Sequence, residues 1–410
     1  MTTHPATTDP ETGREADPAT DDPLHPRSRQ IYLFIGVFSA VLYTVLLVAP
    51  VIAGPLIEKY GIDPAQTGLL FSAELGAFSL ATVPAFLWLT RVPLTVSVTV
   101  CTVIAAAGQV ASGVVTDFGT LLAVRVVTSL AAGSITVVLL SLSPRTKNPG
   151  RAFGIFVVAQ LAMGALILAL FPSLYAGADV AAIYWTLGGL TVACLPFVPL
   201  LRGMSLARPA SAAARVGSGS VGRFAAGLAA IMLFYLALSG VWSFMGQISA
   251  DAGNAAGPTS LVLSVATAAG IVSALVATAL GESRYRALFQ VLGLGGMAVS
   301  VLLLLGAPAL LRFAVAAVLF KFAWTFVLPY LLGSVSKLGG PQAMNATNLM
   351  IGGGFALGPV LAGGMTQATG GYGLMIVVSA VCLVAALGCS VVLNGGRLVA
   401  REEEADPAGG

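Results

Sequence analysis

Charge is scarce in this sequence. Asp, Glu, Lys and Arg make up 9% of its 410 residues, where a soluble domain carries roughly 25%. No soluble fold of this size hides so much apolar surface, so the deficit excludes one and leaves a polytopic membrane protein. Histidine is nearly missing. His4 and His25 are the only two, both near the N-terminus, which excludes a histidine-based catalytic site inside the membrane. Cysteine is confined to Cys101, Cys194, Cys382 and Cys389, each in an apolar run. With no CxxC and no Cys/His cluster, a disulfide framework and a metal site are both excluded. The net charge of +3 is too small to imply a nucleic-acid partner. There is no P-loop and no soluble catalytic domain. The reading is of a protein that is not an enzyme and takes no cofactor, with its energy drawn from an ion or substrate gradient.

What is present is apolar. Hydrophobic residues make up 57% of the chain and the mean hydropathy is +0.93. A bilayer-spanning helix needs about 20 mostly apolar residues. Twelve such runs lie near 31–54, 67–90, 94–115, 118–141, 152–172, 181–201, 223–247, 259–280, 288–306, 311–334, 345–367 and 372–394. The longest internal break, "RGMSLARPASAAARVGSGSVGR", splits them six and six. The expected organisation is a disordered cytoplasmic tail over 1–30, a six-helix bundle over 31–201, a basic cytoplasmic linker over 202–222, a second bundle over 223–394 and a short tail over 395–410. Sixteen of the 20 Lys and Arg residues fall on one side, with Lys59 and Arg312 on the other and Arg125 and Lys321 inside spans. The positive-inside rule then places both termini in the cytoplasm, and the plasma (inner) membrane is the expected site.

The halves echo each other. Shifted by 194 residues, Gly76 falls on Gly270 and Gly164 on Gly358; a shift of 192 puts Tyr43 on Tyr235 and Gly54 on Gly246. A near-constant shift across separate helices suggests a pseudo-twofold axis along the membrane normal.

Over residues 30–395 this layout resembles the major facilitator superfamily. The fourth span, "RVVTSLAAGSITVV", opens with Arg125 and carries Gly133, similar to that family's Arg followed by Gly-rich turns, with Ser129 and Ala131 where Gly is usual. In the loop between the second and third spans, Arg91 alone remains of the usual G-x-x-x-D-R-x-G-R pattern. Its second-half counterpart "GESRYRA" keeps Gly281, Glu282, Arg284 and Arg286. The resemblance implies an all-α membrane fold of two pseudo-symmetric six-helix bundles, a monomer, and a gating role for Arg91 and Arg284. It also implies that the fourth and tenth spans line a central cavity. The eleventh span, "GGGFALGPVLAGG", resembles a Gly-Pro pattern that many drug antiporters carry in their fifth helix, whereas the fifth span here has none. Gly354, Gly358 and Pro359 permit both close packing and a bend.

An ionised side chain near mid-bilayer costs about 3 kcal/mol on insertion scales. Glu74, Arg125 and Lys321 stand there, Glu74 the sole acid in any span. At 1.5 Å per residue, Glu74 and Arg125 both lie about 10 Å below the same surface and Lys321 about 15 Å, so Glu74 and Arg125 can pair. Glu74 reads either as a static counter-ion or as a carboxylate that exchanges a proton, since burial favours the neutral acid and a nearby cation the charged one. Arg125 suits either a structural hydrogen-bonding role or a carboxylate ligand. Lys321, with Trp324 and Thr325 on its face, reads as a substrate ligand, as a second partner for Glu74, or as a snorkelling side chain. Softer candidates for the cavity are Tyr43, Tyr235, Trp242 and Gln160, with Gln247, Asn345 and Asn348 at span ends. Two buried cations against one acid favour a small organic anion as cargo and protons as the coupling ion of a secondary transporter. An exporter of hydrophobic compounds in the same superfamily is the alternative.

Overall fold

The computed structural model describes residues 27–88, 91–175, 178–206, 221–281 and 283–396. Residues 1–26 of the expected tail, most of the basic linker, Glu282 of the second loop motif, and the chain from 397 onward lie outside the described residues. The described chain folds as helices: α1 (Ser28–Tyr60), α2 (Pro64–Ala85), α3 (Leu94–Val114), α4 (Phe118–Arg145), α5 (Pro149–Tyr175), α6 (Val180–Leu201), α7 (Val221–Asp251), α8 (Ala256–Leu280), α9 (Arg286–Leu302), α10 (Leu310–Leu338), α11 (Asn345–Thr369) and α12 (Gly373–Leu393). Eleven are long and apolar enough to cross a membrane; α9, at 17 residues, is the shorter twelfth. The expectation of helix to 306 is corrected there. The α-helix ends at Leu302, tighter turns carry the chain to Leu305, and it then passes through Gly306 and Ala307, whose φ values of 66° and 51° no right-handed α-helix accepts. Helical backbone continues between α10 and α11, yet the chain reverses there. Gln290 of α9 meets Tyr330 and Ser334 of α10, whereas Gly354 and Gly358 of α11 follow Tyr235 and Ser239 up α7.

Local chemistry explains the helix starts at one end of the molecule. Asp63 caps α2 in a reciprocal box with Gln66, and the carboxylates of Asp117 and Asp179 accept from the backbone N–H groups of Thr120 and Ala181. The Thr120 N–H holds the Asp117 carboxyl below the ordinary Asp range. Three of the six described acids, Asp63, Asp117 and Asp179, thus serve as N-caps at one end, where the helix dipole favours them. The opposite end holds most of the described arginines, three of which bind carbonyls: Arg27 donates to Arg202, Arg145 to Ser205 and Arg223 to Leu393.

The two bundles pack by the same rule. In the first, Gly164 of α5 faces Leu47 of α1, where an added Cβ lies 2.6 Å from Leu47 Cδ1. In the second, Gly358 of α11 faces Ser239 of α7, where an added Cβ lies 2.1 Å from Ser239 Oγ. These are the residue pairs that the sequence offset superposes. The halves meet each other in the same paired way. Gly246 of α7 lies against the backbone of Pro50 in α1, Gly68 of α2 against Pro359 of α11, and Gly363 of α11 against Pro64. Ser72 Oγ accepts from the Val360 N–H, and Ser264 Oγ donates to the Ala165 carbonyl. All of these contacts lie toward the acid-capped end.

Gly358 has no room for a side chain, while Gly364, six residues on, has no atom within 4 Å of an added Cβ. Gly358→Ala is expected to cost about 1–3 kcal/mol through a forced backbone shift, read as a clear drop in Tm in detergent. Gly364→Ala is expected to leave Tm unchanged.

Candidate functional site

A cavity of about 1680 Å³ lies between the two bundles. It opens at the arginine-rich end, past Arg145, Gly150, Thr278 and Asn345, and stops at Leu46 and Leu47 of α1, where the glycine contacts begin. Its wall is mostly apolar. Polar groups interrupt it at Glu74, Gln109, Arg125, Thr128, Ser129 and Gln160, and Tyr43, Tyr235 and Trp324 contribute aromatic faces.

Glu74 and Arg125 are brought together. Glu74 is 4% exposed and Arg125 is fully buried, and the Nε–H of Arg125 donates to Glu74 Oε1. The rest of the guanidinium is held by groups that sequence reading missed. Nη1 donates to Gln109 Oε1 at 2.8 Å and reaches Ser112 Oγ at 3.4 Å, both on α3. The ring of Tyr184 on α6 stacks 4.8 Å from the guanidinium carbon. Nη2 alone has no hydrogen-bond partner. The arrangement is possible because α3 and α4 pack tightly, Gly108 admitting Thr128 where no Cβ fits. One signal pointed to Gln109: it is a lone amide in the third apolar run, five residues from the same membrane surface that Arg125 lies seven residues beneath.

Tyr43, Tyr235, Gln160 and Trp324 line the cavity with the ion pair. Tyr43 packs edge-on to Phe78 and Phe156, and Tyr235 to Phe355. Two expected cavity residues stand behind the wall. Lys321, read as a substrate ligand or as a second partner of Glu74, is fully buried with its Nζ against the rings of Trp242 and Trp324, at 4.0 and 3.6 Å, off the cavity wall, while Glu74 holds Arg125. Trp242 faces α1, donating its N–H to the Leu46 carbonyl at 2.9 Å. Gly354, Gly358 and Pro359 form the close contacts of α11 with α7 and α2. Arg91 is exposed, and Arg284 stacks on Tyr285 at 4.9 Å and donates to its hydroxyl; neither borders the cavity. Of the span-end amides, Asn345 and Asn348 border it, while Gln247 leaves its Oε1 buried and unpaired near Gly54.

A two-bundle helical shell with a central one-ended cavity is the architecture of the major facilitator superfamily, and this chain has that fold. It is similar to the crystal structure of the nucleoside transporter NupG, with a TM-score of 0.69 and 13% identity over 89% of this chain and 98% of that one. It is also similar to a bacterial homolog of the human lysosomal transporter Spinster. The inward-facing occupied form of that protein matches with a TM-score of 0.65 and 16% identity, over 90% and 96% of the two chains. The unoccupied form matches at 0.61 and 14%, over 92% and 95%. No protein-family model matches the chain, and no curated protein matches it by sequence. The structural neighbours are membrane transporters, and the protein is an integral membrane protein of that fold.

Removing one member of a buried ion pair strands the other. Glu74→Leu is expected to destabilise the protein by about 3–5 kcal/mol, and Glu74→Leu/Arg125→Leu to regain most of that loss. Thermal unfolding of the three variants in one detergent checks it; a double variant no better than the single contradicts it.

Proposed function

We propose that the protein is a secondary active transporter that carries a small organic anion together with a proton, by alternating access of its two halves. The observation that supports this most is the buried Glu74–Arg125 pair on the wall of a cavity open at one end. A proton arriving on Glu74 neutralises the carboxylate and leaves Arg125 without its counter-ion. Arginine does not release its own charge, so an incoming carboxylate takes the vacated fork, aided by the free Nη2 and by Gln109. The net charge of the site is then the same empty and loaded, which ties proton and anion to one another. The amide of Gln160 and the rings of Tyr43, Tyr235 and Trp324 would receive the remainder of the cargo.

The open end carries the arginines, so the positive-inside rule makes this the cytoplasm-facing state in the plasma (inner) membrane, with both termini cytoplasmic. Gly354, Gly358 and Pro359 would then bend as the halves rock, with Arg91 and Arg284 at the cytoplasmic rim. Of the structural neighbours, NupG is a nucleoside transporter, which supports small-molecule cargo. The predominantly apolar wall favours, as a second reading, export of hydrophobic compounds.

Reconstituted in liposomes with an inward proton gradient, the protein is expected to accumulate at least one member of a panel of small mono- and dicarboxylates. At one-to-one coupling the accumulation is about tenfold per pH unit. Glu74→Gln should only equilibrate the same anion. Accumulation by Glu74→Gln would make Glu74 a static counter-ion. No anion transport alongside pumping of a hydrophobic dye would replace this reading with the exporter.

A further inference from the structure

Lys321 has no role in the ion pair or the cavity wall, yet it is a fully buried side chain whose amine has no hydrogen-bond acceptor. The nearest hydroxyl on its own helix is spent elsewhere: Thr325 donates to the backbone carbonyl of Lys321, at 3.0 Å. On α8 the lysine stem lies along Gly270, which offers no side chain. What the amine does meet is two indole faces, Trp242 at 4.0 Å and Trp324 at 3.6 Å. Phe320 stacks on the far side of Trp242, with ring planes 4° apart. Contacts between an ammonium and an indole strengthen as water is excluded.

The two indoles have different neighbours. Trp324 lies on the cavity wall, where cargo would touch it. Trp242 uses its only N–H on the Leu46 carbonyl of the other bundle. Leu46 is at the cavity's closed end, and Pro50, one turn further, is already sealed against Gly246. The Trp242–Leu46 bond is therefore a layer of the closed gate one turn inside the Pro50–Gly246 contact. Lys321 stands between the ring that faces the cargo and the ring that latches the halves.

We infer that Lys321 is the positioning residue of this gate: its charge holds Trp242 on the Leu46 carbonyl, and a shift of Trp324 loosens that hold. This rests on the alternating-access reading above. A purely space-filling lysine would be replaced by methionine without effect on the latch. A clamping charge would not.

Spin labels at Glu58 and Asp251, exposed at the closed ends of α1 and α7, report the gate in a variant whose four native cysteines are replaced by serine. The protein is placed in lipid nanodiscs without cargo, and the label distances are measured by double electron–electron resonance. Each variant is first checked for intact elution and a cooperative thermal transition; Lys321→Gln stands in if Lys321→Met does not fold. Lys321→Met is expected to raise the ratio of long to short distances about tenfold. Trp242→Phe, which keeps a ring but loses the N–H, is expected to do the same. Combining the two should open the gate no further than either alone, and Lys321→Arg should keep it closed. A Lys321→Met protein as closed as the parent, or additive effects in the double variant, overturns the proposal. One unchanging distance in every variant, Trp242→Phe included, overturns alternating access itself and the proposal with it.

Discussion

A carboxylate and a guanidinium that cannot each stand alone in hydrocarbon organise the first half of this molecule. Glu74 on α2 and Arg125 on α4 neutralise one another, and the remaining donors of the arginine draw in Gln109 and Ser112 from α3. Tyr184 brings α6 to the same point. One buried pair thus sets the mutual depth of four helices. It does so at the cavity wall. Among the described residues the second half has no such pair. Its buried charge, Lys321, is held by aromatic faces, so the two bundles share a backbone plan while differing in how they tolerate charge.

That plan was largely legible in the sequence because the bilayer imposes it. With no water to satisfy backbone groups in hydrocarbon, each apolar run of sufficient length must become a helix. Eleven of the twelve expected spans are helices of crossing length, with edges mostly within a few residues. The repeat offset was legible too, since glycines at helix crossings leave a mark that survives weak residue identity. The pairing of Glu74 with Arg125 followed from counting depth along two helices. What depth counting does not give is rotation about the helix axis. Lys321 and Trp242 were placed at the right level and on the wrong side of the cavity wall for that reason. Gln109 was missed because one amide in an apolar run carries no sign of its partner.

The cavity shows how a shell with a low charge content still offers a specific site. Its walls are mainly aliphatic and aromatic; Glu74, Gln109, Thr128 and Ser129 gather with Arg125, and Gln160, Thr325, Asn345 and Asn348 are polar groups elsewhere on the wall. A ligand would be oriented by one polar contact region and gripped by nonspecific surface elsewhere, the usual division of labour in small-molecule pockets.

The seal at the closed end has a different character. Gly246 on Pro50, Gly68 on Pro359 and Gly363 on Pro64 are contacts of bare backbone against bare backbone, with few hydrogen bonds across them. Such surfaces adhere by dispersion, which is short-ranged and falls away within about an ångström of separation. A joint of this kind is firm when shut and offers little resistance once it begins to part, so the few hydrogen bonds that cross between the halves, such as Trp242 to Leu46 and Val360 to Ser72, carry the specific part of the closure. In the proposed alternating-access cycle, smooth faces without side chains would behave as a bearing, suited to a part that opens and closes many times.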